Sequence, residues 1–272
     1  MKIIQLTNMN HVQTMGYVFV ADSGHVLVVD GGYTGNDIEL RRVIDLAGGH
    51  VHLWLITHPH RDHHNAVMDL ISSPQGIAYD RLGASHLTDE WALALNIADA
   101  EDLINWNAFA DKLDDRYFEI LPGQKFELGT MNIEVLSGSN PDLSVNAFNN
   151  QSCVFRITEK GFSMLVLGDL GIEGGRRLMN TGIDLKADAV QMAHHGQQGV
   201  EESFYQKVAP RYAFWPTPDW LWNNFIPGSD GEPGPFKTLE VRGWMKKMDA
   251  VNVTSMDHTI VFDTCTQTVK KL

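Results

Sequence analysis

VHLWLITHPHRDHHNA, residues 51–66, decides how the rest of the chain is read. Its first half, VHLWLIT, is a nearly unbroken apolar run of strand-forming residues, the signature of a strand buried on both faces. Its second half packs four histidines and an aspartate between His58 and His64. His58 and His60 stand two apart with Pro59 between them, which imposes an extended or turning backbone. On extended backbone, side chains at i and i+2 point the same way, so both imidazoles can face one cation. Asp62 and His63 follow as the chain turns into a helix beginning near His64, and they can address a second cation beside the first. Imidazole with carboxylate suits zinc, manganese or iron rather than calcium. Asp62 has a competing role as a helix cap.

Two further stretches share the same grammar of apolar strand followed by donor. SMLVLGDL ends in Asp169, and a carboxylate at the exit of a buried strand needs a hydrogen-bonded partner or a cation. VQMAHHGQQG ends in His194 and His195 ahead of a glycine turn. In open α/β sheets, sites form outside such strand ends.

Working outward, KIIQL, GYVFVA and HVLVVD read as strands. NDIELRRVIDLAGG reads as a helix capped by Asn36 and stopped by Gly48 and Gly49. Residues 87–113 read as one long helical stretch with an apolar face of Trp91, Leu93, Leu95, Ile97, Leu103 and Ile104. RYFEIL, QKFELG and MNIEVLSG return to strands, PDLSVNAFNNQ is a polar loop, and residues 152–169 form a hairpin turning at Glu159-Lys160-Gly161. The remainder alternates helix and strand: a helix over 171–182, ADAVQMA, a helix over 200–209, RYAFWPT, a helix over 235–248 with Pro235 near its start, and the final strands AVNVTSM and HTIVFD. PGSDGEPGP, residues 227–235, reads as a loop beside a cleft. The aromatic stretch around Trp215, Trp220, Trp222 and Phe225 reads equally well as core packing or as an aromatic wall near the cleft, able to bind an apolar or cationic ligand.

Composition is that of a globular protein, with 43% apolar and 20% charged residues in 272. A net charge of −13 disfavours nucleic acid as a partner and leaves a small molecule as the expected substrate. No apolar run reaches membrane-spanning length, and the first residues lack the apolar core of a signal peptide. Cys153 and Cys265 stand far apart in strand-like surroundings and read as two buried thiols. These features predict a cytoplasmic protein, one domain over residues 1–272, with the oligomeric state open.

Taken together, H-x-H-x-D-H after a buried strand, G-D after the next and H-H-G after a third resemble the metallo-β-lactamase-fold hydrolase superfamily. NNQSCVF, LVLGD and AHHG look most like the subgroup of competence-type DNA-uptake hydrolase domains and phosphorylcholine esterases. The resemblance implies an α+β fold of αβ/βα layering, a four-layer sandwich of two mixed sheets flanked by helices. It implies two zinc ions, with manganese or iron as substitutes. His58 and His60 match ligands of the first ion, Asp62, His63 and His194 ligands of the second, and Asp169 the bridge. Asp30 matches the aspartate that orients the histidine loop. Asp62 and His195 are the candidate catalytic groups, and Asn150 and His258 candidate substrate contacts. Many members carry a histidine on the first ion where this chain has Asn149-Asn150, which leaves that ion His58, His60 and Asp169. The implied chemistry is hydrolysis of a phosphodiester or other ester by a metal-bound hydroxide. Two other classes are open: an iron-dependent oxidoreductase of the same fold, against which His60 stands where the flavodiiron pattern has glutamate, and a non-catalytic metal-binding domain.

Overall fold

The computed structural model describes residues 1–9 and 11–272. In its first half the strands and helices are β1 (Lys2–Gln5), β2 (Gly16–Val20), β3 (Val26–Asp30), α1 (Asp37–Leu46), β4 (His50–Val51), β5 (Leu53–Leu55), α2 (Arg61–Ser72), β6 (Ala78–Tyr79), β7 (Leu82–Ala84), α3 (Asp89–Ala94), α4 (Ala100–Ala110) and β8 (Tyr117–Glu119). Then come β9 (Lys125–Leu128), β10 (Met131–Ser137), β11 (Val154–Glu159), β12 (Phe162–Val166), α5 (Ile172–Asn180), β13 (Ala189–Gln191), α6 (Glu202–Val208), β14 (Tyr212–Trp215), α7 (Asp219–Trp222), α8 (Thr238–Lys247), β15 (Val251–Thr254), β16 (Ile260–Asp263) and β17 (Thr268–Lys271).

Two mixed sheets result. One runs β17-β16-β1-β2-β3-β5-β7-β8 and the other β15-β14-β13-β12-β11-β10-β9. Strand periodicity explains the layering. In β3, Leu27 and Val29 join the apolar layer between the sheets, while Val26 and Val28 face α1 and α2 on the other side. Phe155, Ile157, Met164 and Phe214 complete the inter-sheet layer from the second sheet. Leu165, Val190 and Ala213 turn outward onto Leu178, Phe204, Val208 and Met245 of the helices beyond. The molecule is therefore helix, sheet, sheet, helix, the four-layer sandwich expected from sequence.

Several local expectations hold. Gly48 and Gly49, at φ 113° and 76°, end α1, with the Gly49 amide donating to the Ile44 carbonyl at 2.9 Å. Lys160 and Gly161, both at positive φ, make the tight turn of the β11–β12 hairpin. Others are corrected. Asn36 does not cap α1 with its side chain; its amide donates to the Thr7 carbonyl and its oxygen meets Thr14, tying the first loop down. The long helix of residues 87–113 is two, because Asn96 takes a left-handed backbone at φ 51° between α3 and α4, and Leu93 and Ile97 are exposed rather than packed. Cys153 is buried, with its thiol pushed up to about 12 by burial, but Cys265 is exposed in the β16–β17 turn. Phe214 and Trp215 are core, and Trp220 is spent on a hydrogen bond to the His11 carbonyl at 2.6 Å. No helix among the described residues is long and apolar enough to cross a membrane.

Candidate metal centre

Three strand exits meet at one edge of the sandwich. β5 delivers Thr57 and His58, β12 delivers Gly168 and Asp169, and β13 delivers His194 and His195. The first comes from one sheet and the other two from the second, so the site straddles the sheets. Backbone bonds stitch the exits together: the Cys153 amide to the Thr57 carbonyl at 2.8 Å and the His194 amide to the Gly168 carbonyl at 3.1 Å. Gly168 sits at φ 56°, and a Cβ there would lie 2.8 Å from Thr57 Cβ and 2.9 Å from Ser152 Oγ. Only glycine allows that approach.

Two groups of donors result. Asp62, His63, Asp169 and His195 each offer an atom within 4.8 Å of the others, and so do His58, His60 and Asp169. Asp169 is common to both. Its carboxylate lies 3.4 Å from His63 Nε2, 3.5 Å from His195 Nε2 and 3.9 Å from His58 Nε2. Asp62 lies 3.0 Å from His195 Nε2. His63 Nε2, His195 Nε2 and Asp169 Oδ1 are buried with no hydrogen-bond partner. Buried polar atoms without partners are costly, and here they converge on one point. That is the donor set a divalent transition-metal ion completes.

The outer nitrogens of the rings are held. Asp30 is fully buried and accepts from the Thr57 amide at 2.7 Å, the Thr57 hydroxyl at 2.8 Å and His63 Nδ1 at 2.7 Å. These bonds turn His63 Nε2 inward. His195 Nδ1 donates to the Pro216 carbonyl at 2.8 Å, and His58 Nδ1 meets the Thr57 hydroxyl at 3.2 Å. Charge follows geometry. Burial alone would lower His63 and His195, but Asp169 and its neighbouring carboxylates outweigh it, holding His63 well above its ordinary range and His195 at about 10. Burial, then the charges of His63 and His60, pushes His58 well below.

His195, expected as the catalytic histidine, falls inside the second donor group, whereas His194, expected as the ligand, lines the cleft with its Nε2 3.9 Å from the Asp169 carboxylate. Both residues take left-handed backbone, φ 52° and 53°, so the alternation of a strand does not apply to them. His194 donates through Nδ1 to the Gln198 carbonyl at 3.2 Å, which leaves Nε2 as an acceptor for the Asn149 amide at 3.3 Å. Asn150 faces away from the cluster. Its oxygen accepts from the Gly171 and Gly174 amides at 3.1 and 3.0 Å, capping α5, and its amide donates to Val145 and Glu173. Asn149, not Asn150, reaches the site. Asn150→Ala is therefore expected to lower stability by about 1–2 kcal/mol in chemical denaturation while leaving metal content unchanged. His258 is exposed between β15 and β16, with no hydrogen bond to the cluster. Thr57, which binds Asp30 and touches His58 and His63, escaped sequence reading; its position directly between strand and motif was the available signal.

The cluster opens into a cleft of about 330 Å³ lined by Gln13, Tyr33, Arg61, Asp99, Asp102 and His194 among others. Arg61 is held by Asp102, which accepts from both its amide and its Nε at 3.2 Å. A second histidine group, His50 and His52 beside Asp80, lies elsewhere; there His52 Nδ1 accepts the Val26 amide, so its Nε2 carries the proton and cannot ligate.

The fold is the metallo-β-lactamase fold. The metallo-β-lactamase fold protein YhfI from Bacillus subtilis superposes with a TM-score of 0.55 at 14% identity, covering 97% of this chain and 100% of that one. Zinc-bound PqqB from Methylobacterium extorquens superposes at 0.53 and 11% identity, with the same coverage of 97% and 100%. Among curated proteins, ComE operon protein 3 of Bacillus subtilis (strain 168) is 33% identical over 96 residues. That match spans 35% of this chain and only 12% of the relative's length. No family profile matches the chain.

Proposed function

We propose that this chain is a metal-dependent hydrolase with a two-ion centre, acting on a small phosphodiester or other ester, and that it falls in the competence-type and phosphorylcholine-esterase subgroup. The observation that carries the reading is the convergence of the unpartnered His63 Nε2, His195 Nε2 and Asp169 Oδ1 from both sheets. The zinc of PqqB favours zinc here, and the partial match to ComE operon protein 3 favours the subgroup. Bound at these donors, such ions act as Lewis acids and lower the pKa of water from about 15.7 toward about 7.

The chain's own residues do the rest. Asp62, beside His195 in the second donor group, lines the cleft and supplies an acceptor that orients an attacking water. α2 begins at Arg61, so its amino-terminal end directs positive potential into the cleft and favours an anionic substrate group. Arg61, braced by Asp102, and Tyr33 supply donors on the same wall. Burial lowers the pKa of His194, which keeps its Nε2 an acceptor for the Asn149 amide at neutral pH. The acidic rim of Asp99 and Asp102 and the net charge of −13 favour a small substrate over nucleic acid.

The test is chelation followed by re-addition of zinc, manganese or iron, with hydrolysis of bis(p-nitrophenyl) phosphate and p-nitrophenyl acetate as the assay. Turnover is expected to disappear with the metal and return with it. Activity that persists at full rate in metal-free protein would overturn the reading.

A further inference from the structure

Every histidine of the cluster but one has its outer nitrogen held: His63 by Asp30, His58 by Thr57, His195 by the Pro216 carbonyl and His194 by the Gln198 carbonyl. The exception is His60. Its Nδ1 lies 2.9 Å from His58 Nε2, so Nδ1 is the inward nitrogen and Nε2 the outward one. His60 Nε2 is buried and has no hydrogen-bond partner. The one carboxylate facing it is Asp99, whose Oδ2 lies 3.6 Å away.

Asp99 occupies the position that begins α4, where an aspartate ordinarily accepts from the helix's first free amides. Its side chain makes no such bond. It is turned to His60 instead. The neighbouring Asp102, one turn along α4, grips Arg61 through amide and side chain. The α3–α4 segment thus clamps the histidine motif at two adjacent residues. On the other side, Phe148 lies flat against the His60 ring, with centroids 5.5 Å apart and planes 6° from parallel. Phe148 fixes the plane of the ring and leaves its rotation within that plane to a polar partner.

We propose that Asp99 is a positioning residue: it accepts a hydrogen bond from His60 Nε2–H and so commits His60 to offer Nδ1 to the first cation. The proposal rests on the metal-centre reading above. The 3.6 Å separation is just beyond hydrogen-bond length, and a small rotation of the half-exposed Asp99 side chain closes it. Carboxylates behind ligating histidines fix the tautomer and raise the basicity of the ligating nitrogen. The first cation has only His58, His60 and Asp169 in its group, one donor fewer than the second, so it depends most on the quality of each.

The experiment compares wild type with Asp99→Ala, Asp99→Asn and Asp99→Glu. Zinc affinity is read by competition with a chromophoric chelator, and imidazole N–H signals of the zinc-loaded proteins by nitrogen-edited NMR. Wild type is expected to load in two steps. In Asp99→Ala and Asp99→Asn, one step weakens roughly 10- to 100-fold and the other is unchanged. The His60 Nε2–H signal, sharp in wild type, exchanges away in both, and Asp99→Glu recovers part of the affinity. Asp99→Asn is isosteric and covers the case in which Asp99→Ala fails to fold. Unchanged affinities and an unchanged His60 signal in a folded Asp99→Asn variant overturn the role of Asp99 and leave the metal centre standing. A wild-type protein that takes up no zinc, manganese or iron overturns the metal centre, and this role with it. The imidazole signal reads the contact even where a single equivalent of zinc binds.

Discussion

On the proposed two-ion reading, Asp169→Ala is expected to lose the first ion, to weaken the second and to cut turnover by about a thousandfold or more. Asp169 is the only carboxylate common to the two donor groups. Its removal leaves the first ion with His58 and His60 alone, and the second with Asp62, His63 and His195. Neither remnant holds a divalent ion at the affinity of the complete set. A thousandfold loss corresponds to about 4 kcal/mol of transition-state stabilisation, within the several kcal/mol a Lewis-acid centre supplies. Elemental analysis after gel filtration reads the ions, and initial rates on bis(p-nitrophenyl) phosphate read the turnover. The fold is expected to survive, because the two sheets pack through the apolar layer around Phe19, Phe155 and Phe214, away from Asp169. Cooperative thermal unfolding of the variant checks this. Loss of folding without any turnover in the wild type would instead identify the ion as structural.

Asp30→Ala is expected to have the largest effect on stability, about 3–5 kcal/mol in denaturant unfolding at neutral pH. Asp30 is fully buried and satisfies three donors at once, the Thr57 amide, the Thr57 hydroxyl and His63 Nδ1. Alanine strands all three in a site that water does not reach, and each stranded donor carries its desolvation penalty. Alanine also sits poorly at the left-handed φ of 57° that Asp30 adopts. The transition midpoint should fall with the slope unchanged. Asp30→Asn tolerates the backbone and keeps an oxygen for the Thr57 amide, so it should recover much of the stability. It removes the charge opposite His63, so zinc affinity should stay reduced. An alanine variant within about 1 kcal/mol of wild type would show that Asp30 is not the keystone of the loop.

What the sequence disclosed and what it hid follow from the range of the interactions. β5 and the histidine motif were legible because apolar run, proline and donors lie within sixteen residues and obey local rules. β3 was legible because an unbroken VLVV run fits only a strand covered on both sides. The choice between His194 and His195 was not, because it turns on two consecutive left-handed residues, a conformation uncommon outside glycine. Asn149 and Asn150 sit on a 3-10 turn whose second residue is claimed by α5, more than twenty residues ahead. Asp99 is hidden behind the break at Asn96, in a segment whose composition reads as one continuous helix.

His58 hangs from one sheet and Asp169 from the other, with the apolar layer between. The thickness of that layer therefore sets the aperture of the cluster. Packed interiors transmit changes of volume rather than absorb them. Side-chain size deep between the sheets, at positions such as Ile133 or Met164, is thus expected to tune the spacing of the donors at the sandwich edge.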